Sequence, residues 1–132
     1  MPHLIIEYSA NLDDAIDMRA LAKAVHDAAL TTGAFPLAGT RTRLARRDAV
    51  VVADNHPDNG FIHLQMRIGV GRTPEVRAGV AETVFERLKA VAAPAFAARP
   101  LALSMEIVEM NPVGALKHNN TADRIAARSG KG

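Results

Sequence analysis

Four segments of this chain have patterns that are typical of β-strands. Apolar and polar side chains alternate over residues 2–9 and again over 61–70, and a period of two predicts strands with one buried face. We predict further strands over 36–45 and 101–109, and the stretch 48–53 either continues the second strand or forms a short strand of its own. The apolar positions that alternate are Leu4, Ile6, Tyr8, Ile62, Leu64, Met66 and Ile68.

Two longer segments carry apolar residues at helical spacing. The first helix is predicted over 18–32, with Asp17 as its N-cap and Gly33 where a left-handed residue would end it. The second begins at Thr73-Pro74-Glu75, because Thr caps well, Pro fits the first helical position and an acid suits the first turn. We expect Pro94 to bend or end this helix. Its buried stripe is expected to consist of Val76, Val80, Val84, Leu88 and Val91.

The order of these elements suggests a duplicated unit. The halves, about 2–56 and 61–112, are each predicted to contain a strand, a helix and a second strand in that order. The turn residues 54–60 separate them. A polar tail, 113–132, follows, with one helical turn expected near 122–127. Short matches recur in the same order in both halves, namely His3-Leu4 with His63-Leu64, and Pro36-Leu37-Ala38 with Pro100-Leu101-Ala102.

We therefore predict a single α/β (α+β) domain over 1–132. Two right-handed β-α-β units would form one four-stranded mixed sheet, with both helices on the same face. The opposite face would lack a cover, and three or more copies packing these faces together would supply one. We therefore expect an oligomer.

Composition excludes several other classes. The 132 residues are 48% apolar and 23% charged, which suits a folded domain rather than a disordered chain. The absence of cysteine excludes disulfides, thiolate metal sites and cysteine nucleophiles. No run approaches the roughly 18–20 apolar residues of a membrane helix, and the first residues lack the pattern of a signal peptide. We expect a cytoplasmic protein that does not bind membranes.

The charges favour a small anionic ligand over a nucleic acid. The formal net charge is only +2 and aromatic residues make up 4% of the chain, whereas nucleic-acid binders combine a large positive excess with aromatic platforms. The basic residues are clustered locally instead, and the arginine fork suits carboxylates. The cluster consists of Arg41, Arg43, Arg46 and Arg47.

Pro2 is the candidate for acid–base chemistry. The initiator methionine is normally removed before a small residue such as proline, and its removal would expose a secondary amine at the start of the first strand. Free α-amino groups have a pKa near about 7.7–8.0, and burial or a neighbouring arginine lowers it, so this amine could act as a general base. The alternative is that Met1-Pro2 is an ordinary start without function.

Three arginines are candidates for binding an anion. Arg41 and Arg43 lie two apart on a predicted strand and project from one face, where they could hold carboxylates of one ligand. The alternative is a charged edge strand that discourages pairing with other edges. Arg72 lies between a strand end and a helix N-terminus, where backbone N–H groups and a guanidinium can bind an anion. Its alternative is a turn arginine in solvent.

Other motifs of cofactor and hydrolase sites are missing from the sequence. The five histidines show no metal-ligand spacing, and Gly69-Val70-Gly71 lacks the third glycine of a dinucleotide fingerprint. There is no P-loop, and no serine lies in a Gly-x-Ser-x-Gly context. We therefore expect no metal site and no serine-hydrolase chemistry.

Pro2 and three segments together resemble the 5-carboxymethyl-2-hydroxymuconate isomerase family of the tautomerase superfamily. The segments are Phe-Pro-Leu-Ala-Gly-Thr-Arg-Thr-Arg at 35–43, Ile-Gly-Val-Gly-Arg at 68–72 and Leu-Ala-Leu-Ser-Met-Glu-Ile at 101–107. The resemblance extends from Pro2 to about Asn120 and includes Lys-His-Asn-Asn at 117–120. It implies a tautomerase-like fold and a homotrimer of duplicated subunits, with the sheets inside and the helices outside.

The resemblance also implies an activity. Members of the family are cofactor-free isomerases of homoprotocatechuate (4-hydroxyphenylacetate) catabolism that move a proton within a dienol tricarboxylate to give a conjugated ketone. Pro2 would be the base that carries this proton between the 2-hydroxyl and a carbon. Arg41 and Arg72 match active-site positions of the superfamily, and strand geometry adds Arg43. A substrate with three carboxylates calls for such arginines, and the developing oxyanion needs a fixed positive donor.

Two other functions remain open at this point. One is another tautomerase-superfamily activity on a different unsaturated enol acid, and the other is a non-catalytic module on the same scaffold. If Met1 were retained, the Pro2 nitrogen would be a tertiary amide without basicity, so the proposed chemistry belongs to the processed protein. The sequence does not tell which subunit supplies each arginine, and it assigns no role to the basic tail 124–132.

Overall fold

The computed structural model describes residues 1–130, so the last two residues of the predicted tail 113–132 lie outside the described part. Two short 3₁₀ turns, at Ala10–Leu12 and Leu37–Gly39, accompany the regular elements. In chain order these elements are β1 (His3–Ser9), α1 (Met18–Thr31), β2 (Arg41–Arg47), β3 (Gly60–Ile68), α2 (Pro74–Ala98), β4 (Leu101–Glu109) and α3 (Thr121–Ser129).

The four strands form one mixed sheet in the order β2-β1-β3-β4. β1 is parallel to β2 and β3 is parallel to β4, whereas the central pair, β1 and β3, is antiparallel. Each parallel pair is joined through one long helix, as expected for a β-α-β unit. The prediction of a four-stranded mixed sheet built from two such units is confirmed, and α3 is a helix added in the tail.

The core lies between one face of this sheet and the two long helices. The alternating apolar side chains of β1 and β3 point into it, as their period of two predicted. α1 and α2 pack against each other over this face. The side chains that exclude water completely include Leu4, Ile6, Ile62, Leu64 and Met66 of the sheet, and Leu21, Val25, Val84 and Leu88 of the helices.

Both long helices begin with the predicted side-chain caps. The Asp17 carboxylate accepts a hydrogen bond from the Ala20 N–H at 3.0 Å, and the Thr73 hydroxyl accepts one from the Val76 N–H at 3.2 Å. Gly33, after the last turn of α1, has a φ of +74°, a conformation that favours glycine. The predicted limits of both helix starts are therefore confirmed.

The second predicted strand begins too early, because residues 36–40 are not a strand. The Thr40 hydroxyl donates to the Pro36 carbonyl at 2.8 Å, and the Gly39 N–H donates to the same carbonyl at 3.2 Å, which closes a 3₁₀ turn. β2 starts at Arg41, whose N–H donates to the Pro2 carbonyl at 3.1 Å, and it ends at Arg47. The turn therefore satisfies locally the backbone groups that a longer strand would have paired with β1.

The stretch 48–53 neither continues β2 nor forms a strand of its own. Ala53 and Asn55 have φ values of 52° and 66°, in the left-handed region that interrupts extended backbone. The side-chain amide of Asn59 donates to the Val52 carbonyl at 3.0 Å and to Asp54 at 2.7 Å. These hydrogen bonds close the end of the loop, in agreement with the turn predicted over 54–60.

Three element ends differ from the prediction. α2 continues past Pro94 to Ala98, and its buried stripe shifts towards its C-terminal half. Val76, 44% exposed, and the half-buried Val91 do not belong to the buried stripe, which consists of Val80, Val84, Leu88, Ala92 and Ala95. β3 ends at Ile68 instead of residue 70, and the helical turn predicted at 122–127 is the nine-residue α3.

The other face of the sheet has no helix and carries mostly polar side chains. The Arg47 guanidinium donates to the Glu7 carboxylate at 2.8 Å, and His63 bridges Ser104 at 2.7 Å and Glu106 at 3.1 Å. These residues are half-buried or exposed, so nothing within a single chain covers this face over residues 1–130. Within the same residues, every helix is too short or too polar to cross a membrane.

Candidate active site

The topology brings four chain segments to one end of the sheet. β1 and β2 begin at this end because they are parallel, and β3 and β4 end there because β3 runs antiparallel to β1. The N-terminus, Arg41, the segment 69–72 and the segment after β4 therefore meet. A backbone hydrogen bond of 2.7 Å from the Met110 N–H to the Ile68 carbonyl ties the last two together.

An open cavity of about 350 Å³ lies at this end. Met1 forms part of its wall, and the next residue, Pro2, is fully buried. The remaining lining residues come from the start of β1, the end of β3 and the segment after β4, and they are His3, Gly69, Val70, Met110, Pro112, Ala115, Leu116 and Lys117.

A larger cavity of about 580 Å³ lies near the opposite end of β1, before and along the start of α1. Its wall includes the carboxylates of Asp13, Asp14 and Asp17. Three carboxylates outnumber the one cation of this wall, Arg19, and would repel a carboxylate ligand. The smaller cavity at the N-terminus is therefore the candidate site.

Three cations surround the N-terminal amine. The pKa of the Met1 amino group is lowered, first by burial and then by the positive charges of Lys117, Arg72 and Arg41. Both influences disfavour the protonated amine, because burial weakens its solvation and like charges repel it. An amine in this cavity is therefore held closer to its neutral form than an amine in water, and anions are attracted to the same place.

Arg72 is held rigidly by backbone carbonyls. Its Nε and Nη2 donate to the Ala34 carbonyl at 3.3 and 2.8 Å, and its Nη1 donates to the Gly69 carbonyl at 3.4 Å. The guanidinium carbon also lies 4.6 Å from the centre of the buried Phe35 ring. Since a guanidinium has five N–H groups, two remain available for a ligand.

Arg41 is held far more loosely. Its side chain donates one hydrogen bond, from Nη1 to the Gly39 carbonyl at 3.3 Å, and four N–H groups remain. It lies on the uncovered face of the sheet, since its neighbour Thr42 points to α1 and contacts His26 at 2.8 Å. Arg41 is thus a half-buried cation whose fork is largely free.

Arg43 lies on the same face as Arg41, as strand spacing predicted, but it does not line the cavity. Its Nη1 lies 3.0 Å from His3 Nδ1. Burial and then the charges of Arg43, Arg41 and Arg67 lower the pKa of His3, so the imidazole is neutral. Because a guanidinium only donates, Nδ1 must accept and His3 must carry its proton on Nε2. Arg43 therefore contacts a residue of the cavity wall, His3, and not the cavity itself.

The structure thus brings the N-terminus, Arg41 and Arg72 to the same end of the sheet, where both guanidinium groups influence the Met1 amine without lining the cavity, and it places Arg43 beside His3. The sequence analysis gave Lys117 no role, although the family resemblance includes the stretch 117–120 and was the one signal that could have indicated it. Over residues 1–130, no three His, Asp or Glu side chains come together as metal ligands do.

Paired β-α-β units in one mixed sheet, with an amine among cations at the sheet end, define a tautomerase-like protein. The symmetric trimer of Q0 fused wild-type 4-OT has this fold, with a TM-score of 0.53 at 20% identity over 87% of this chain and 94% of that one. The chain belongs to the 5-carboxymethyl-2-hydroxymuconate isomerase family, whose model matches residues 2–125. It is therefore an isomerase.

Two relatives illustrate how closely the chain resembles this family. The 5-carboxymethyl-2-hydroxymuconate Δ-isomerase of Escherichia coli is 39% identical over 120 residues, which cover 91% of this chain and 95% of that protein. The crystal structure of a 5-carboxymethyl-2-hydroxymuconate isomerase from Deinococcus radiodurans R1 matches with a TM-score of 0.87 at 35% identity, over 94% of this chain and 93% of that one.

Proposed function

We propose that this chain isomerises 5-carboxymethyl-2-hydroxymuconate, with the Pro2 amine as the general base after removal of Met1. The observation that carries the proposal is the position of the N-terminus: Met1 and Lys117 line one cavity there, and burial, Lys117, Arg72 and Arg41 lower the pKa of the Met1 amine, next to Pro2. Since Met1 lines that cavity, its removal would both free the Pro2 nitrogen and enlarge the space for a substrate.

The reaction moves one proton and needs no external electrons. The substrate is a dienol with a hydroxyl on carbon 2. The Pro2 amine accepts the hydroxyl proton, the electron pair shifts along the diene, and the ammonium returns a proton to carbon 5. The O–H bond breaks and a C–H bond forms, which leaves a ketone at carbon 2 conjugated with a double bond between carbons 3 and 4. Substrate and product are isomers, which is why we expect no cofactor.

The arginines would bind the carboxylates and stabilise the oxyanion. Arg72 presents two free N–H groups from a fixed guanidinium, a preorganised donor of the kind that stabilises developing negative charge. Arg41 offers a mostly free fork for a planar carboxylate. Arg43, the third arginine predicted to bind substrate, would act indirectly, because its guanidinium contacts His3 and holds that ring in one tautomer.

We further propose a cytoplasmic homotrimer that acts in homoprotocatechuate catabolism. The uncovered polar face of the sheet supports an assembly of copies, because its half-buried charges would gain partners there. The trimeric 4-OT structure with the same fold supports this number of subunits. Neither a nucleic acid nor a membrane is proposed as a partner, and light scattering of the purified protein would test the trimer.

The test of the activity is the loss of dienol absorbance on addition of the processed protein. We expect turnover of the tricarboxylate, and a Pro2→Ala variant of confirmed fold should lose most of it. Full activity of the variant would contradict the proposal. Faster turnover of another unsaturated enol acid would favour a different tautomerase activity. No turnover of any enol, together with no alkylation of the terminal amine, would favour a non-catalytic module.

A further inference from the structure

The geometry points to Lys117 as the residue that binds the carboxymethyl arm of the substrate, an inference that rests on the function proposed above. Lys117 lines the cavity at the N-terminus together with Met1 and His3. Its task would be specificity, that is, the preference for a dienol with three carboxylates over one with two.

The path of the chain explains how Lys117 reaches this cavity. β4 ends at Glu109 on one edge of the sheet, whereas α3 packs against the 3₁₀ turn Leu37–Gly39, just before β2 on the other edge. The segment 110–120 must therefore cross the end of the sheet, where β1 begins. A turn shapes the crossing, since Gly114 has a φ of +88° and the Val113 N–H donates to Asn111 at 2.9 Å.

Lys117 is the one cation that this crossing segment adds to a wall that is otherwise largely apolar. Val70, Met110, Pro112 and Leu116 flank it in the lining. Within residues 1–130, no carboxylate lies within 4.0 Å of its ammonium group, as the ion pairs of the structure all involve other cations. Lys117 is exposed, and its positive charge lowers the pKa of the Met1 amine more than that of Arg72 or Arg41 does.

The number of carboxylates on the substrate indicates which of its groups Lys117 binds. Three carboxylates need three cations, and two are the guanidinium groups of Arg41 and Arg72. The third arginine, Arg43, contacts His3 Nδ1 at 3.0 Å, whereas Lys117 itself lines the cavity with Met1, so we take Lys117 as the third cation. Two substrate carboxylates are conjugated with the rigid diene, and their planar shape matches the planar guanidinium groups of the arginines. The third is on a flexible methylene arm, which suits the point charge and flexible stem of a lysine.

The test compares two substrates on the processed enzyme. 5-Carboxymethyl-2-hydroxymuconate carries the arm, and 2-hydroxymuconate lacks it. At a pH above the rise in kcat/KM, where the base is already neutral in both proteins, we expect Lys117→Met to lower kcat/KM for the tricarboxylate about 10- to 100-fold, mainly through KM, and to change it less than about threefold for the dicarboxylate. Lys117→Arg should restore most of the preference. The matched control is Lys23→Met, which removes an exposed α1 lysine paired with Asp27 and should leave both rates unchanged.

The outcomes separate this inference from the proposed function. Turnover by the wild type with an unchanged substrate preference in Lys117→Met would overturn the inference and leave the function standing. An equal loss on both substrates would also overturn it, because the lysine would then act on the reaction in general rather than on the arm. No turnover of the tricarboxylate by the wild type would overturn both.

Discussion

The two arginines nearest the N-terminus differ in how tightly the protein holds them, and this difference gives a quantitative prediction. Arg72 makes three hydrogen bonds to two carbonyls and lies over the Phe35 ring, whereas Arg41 makes one long hydrogen bond. If both bind substrate, replacing each by Met should weaken catalysis by similar amounts. The stability of the protein should depend on Arg72 far more than on Arg41.

The magnitudes follow from these contacts. Freeing two partly buried carbonyls costs about 1 kcal/mol each, and the contact with the aromatic ring adds about 0.5–1 kcal/mol. Arg72→Met should therefore lower the free energy of unfolding by about 2–3 kcal/mol, and Arg41→Met by about 0.5 kcal/mol or less. A lost charge-assisted bond to a substrate carboxylate is worth about 1.5–3 kcal/mol, so kcat/KM should fall about 10- to 150-fold in both variants.

Urea unfolding at one fixed protein concentration measures the first quantity, because an oligomer's stability depends on concentration. Circular dichroism is the suitable signal, since the chain has one tyrosine and no tryptophan. Initial rates with the tricarboxylate dienol measure the second quantity. Equal losses of stability in the two variants would refute the anchoring of Arg72. Wild-type kcat/KM in Arg41→Met would refute its part in binding.

Two further predictions concern packing and pH. A Cβ added at Gly60 would lie 2.9 Å from Leu12 Cδ2, so Gly60→Ala should lower the free energy of unfolding by about 1–3 kcal/mol in the same urea experiment, and unchanged stability would contradict this packing. Burial, Lys117, Arg72 and Arg41 lower the pKa of the Met1 amine. We expect the same surroundings to lower the pKa of the Pro2 amine once Met1 is removed, so kcat/KM should rise with pH through that lowered pKa as the base loses its proton, and then level off. Lys117→Met removes a positive charge and should move this rise to higher pH; a rise that stays in place or moves to lower pH would contradict the electrostatic account.

Much of the fold could be predicted because local patterns and tertiary packing agree. The strand over 101–109 and the start of the first helix at Met18 were predicted with the observed limits. The strand predicted to start at Pro36 starts at Arg41, because a side-chain hydrogen bond of Thr40 helps to close a turn there. The pattern of apolar positions does not reveal this turn. The Asn59 amide donates a hydrogen bond to Val52 at the end of the loop 48–53, and no local pattern predicts this contact.

The site, like the fold, has a part that the sequence predicts and a part that it does not. Strand direction alone places Pro2 and Arg41 at the end of the sheet where Arg72 follows β3, so their proximity follows from the predicted topology. The position of Lys117 depends on how α3 packs against residues 37–39, which only the folded chain reveals. The catalytic and binding roles of these residues, and the duplication of the two halves, stay predictions.

The central claim is that the freed Pro2 nitrogen is the base, and one comparison of rates tests it most directly. The same chain is prepared with Met1 removed and, by inhibiting methionine removal, with Met1 retained, and intact mass verifies each form. Retention makes the Pro2 nitrogen an amide and places the α-amino group one residue away from its position. We predict that the processed form consumes the dienol about 10²- to 10⁴-fold faster, the usual contribution of a general base. Equal rates per subunit in the two forms would contradict the account.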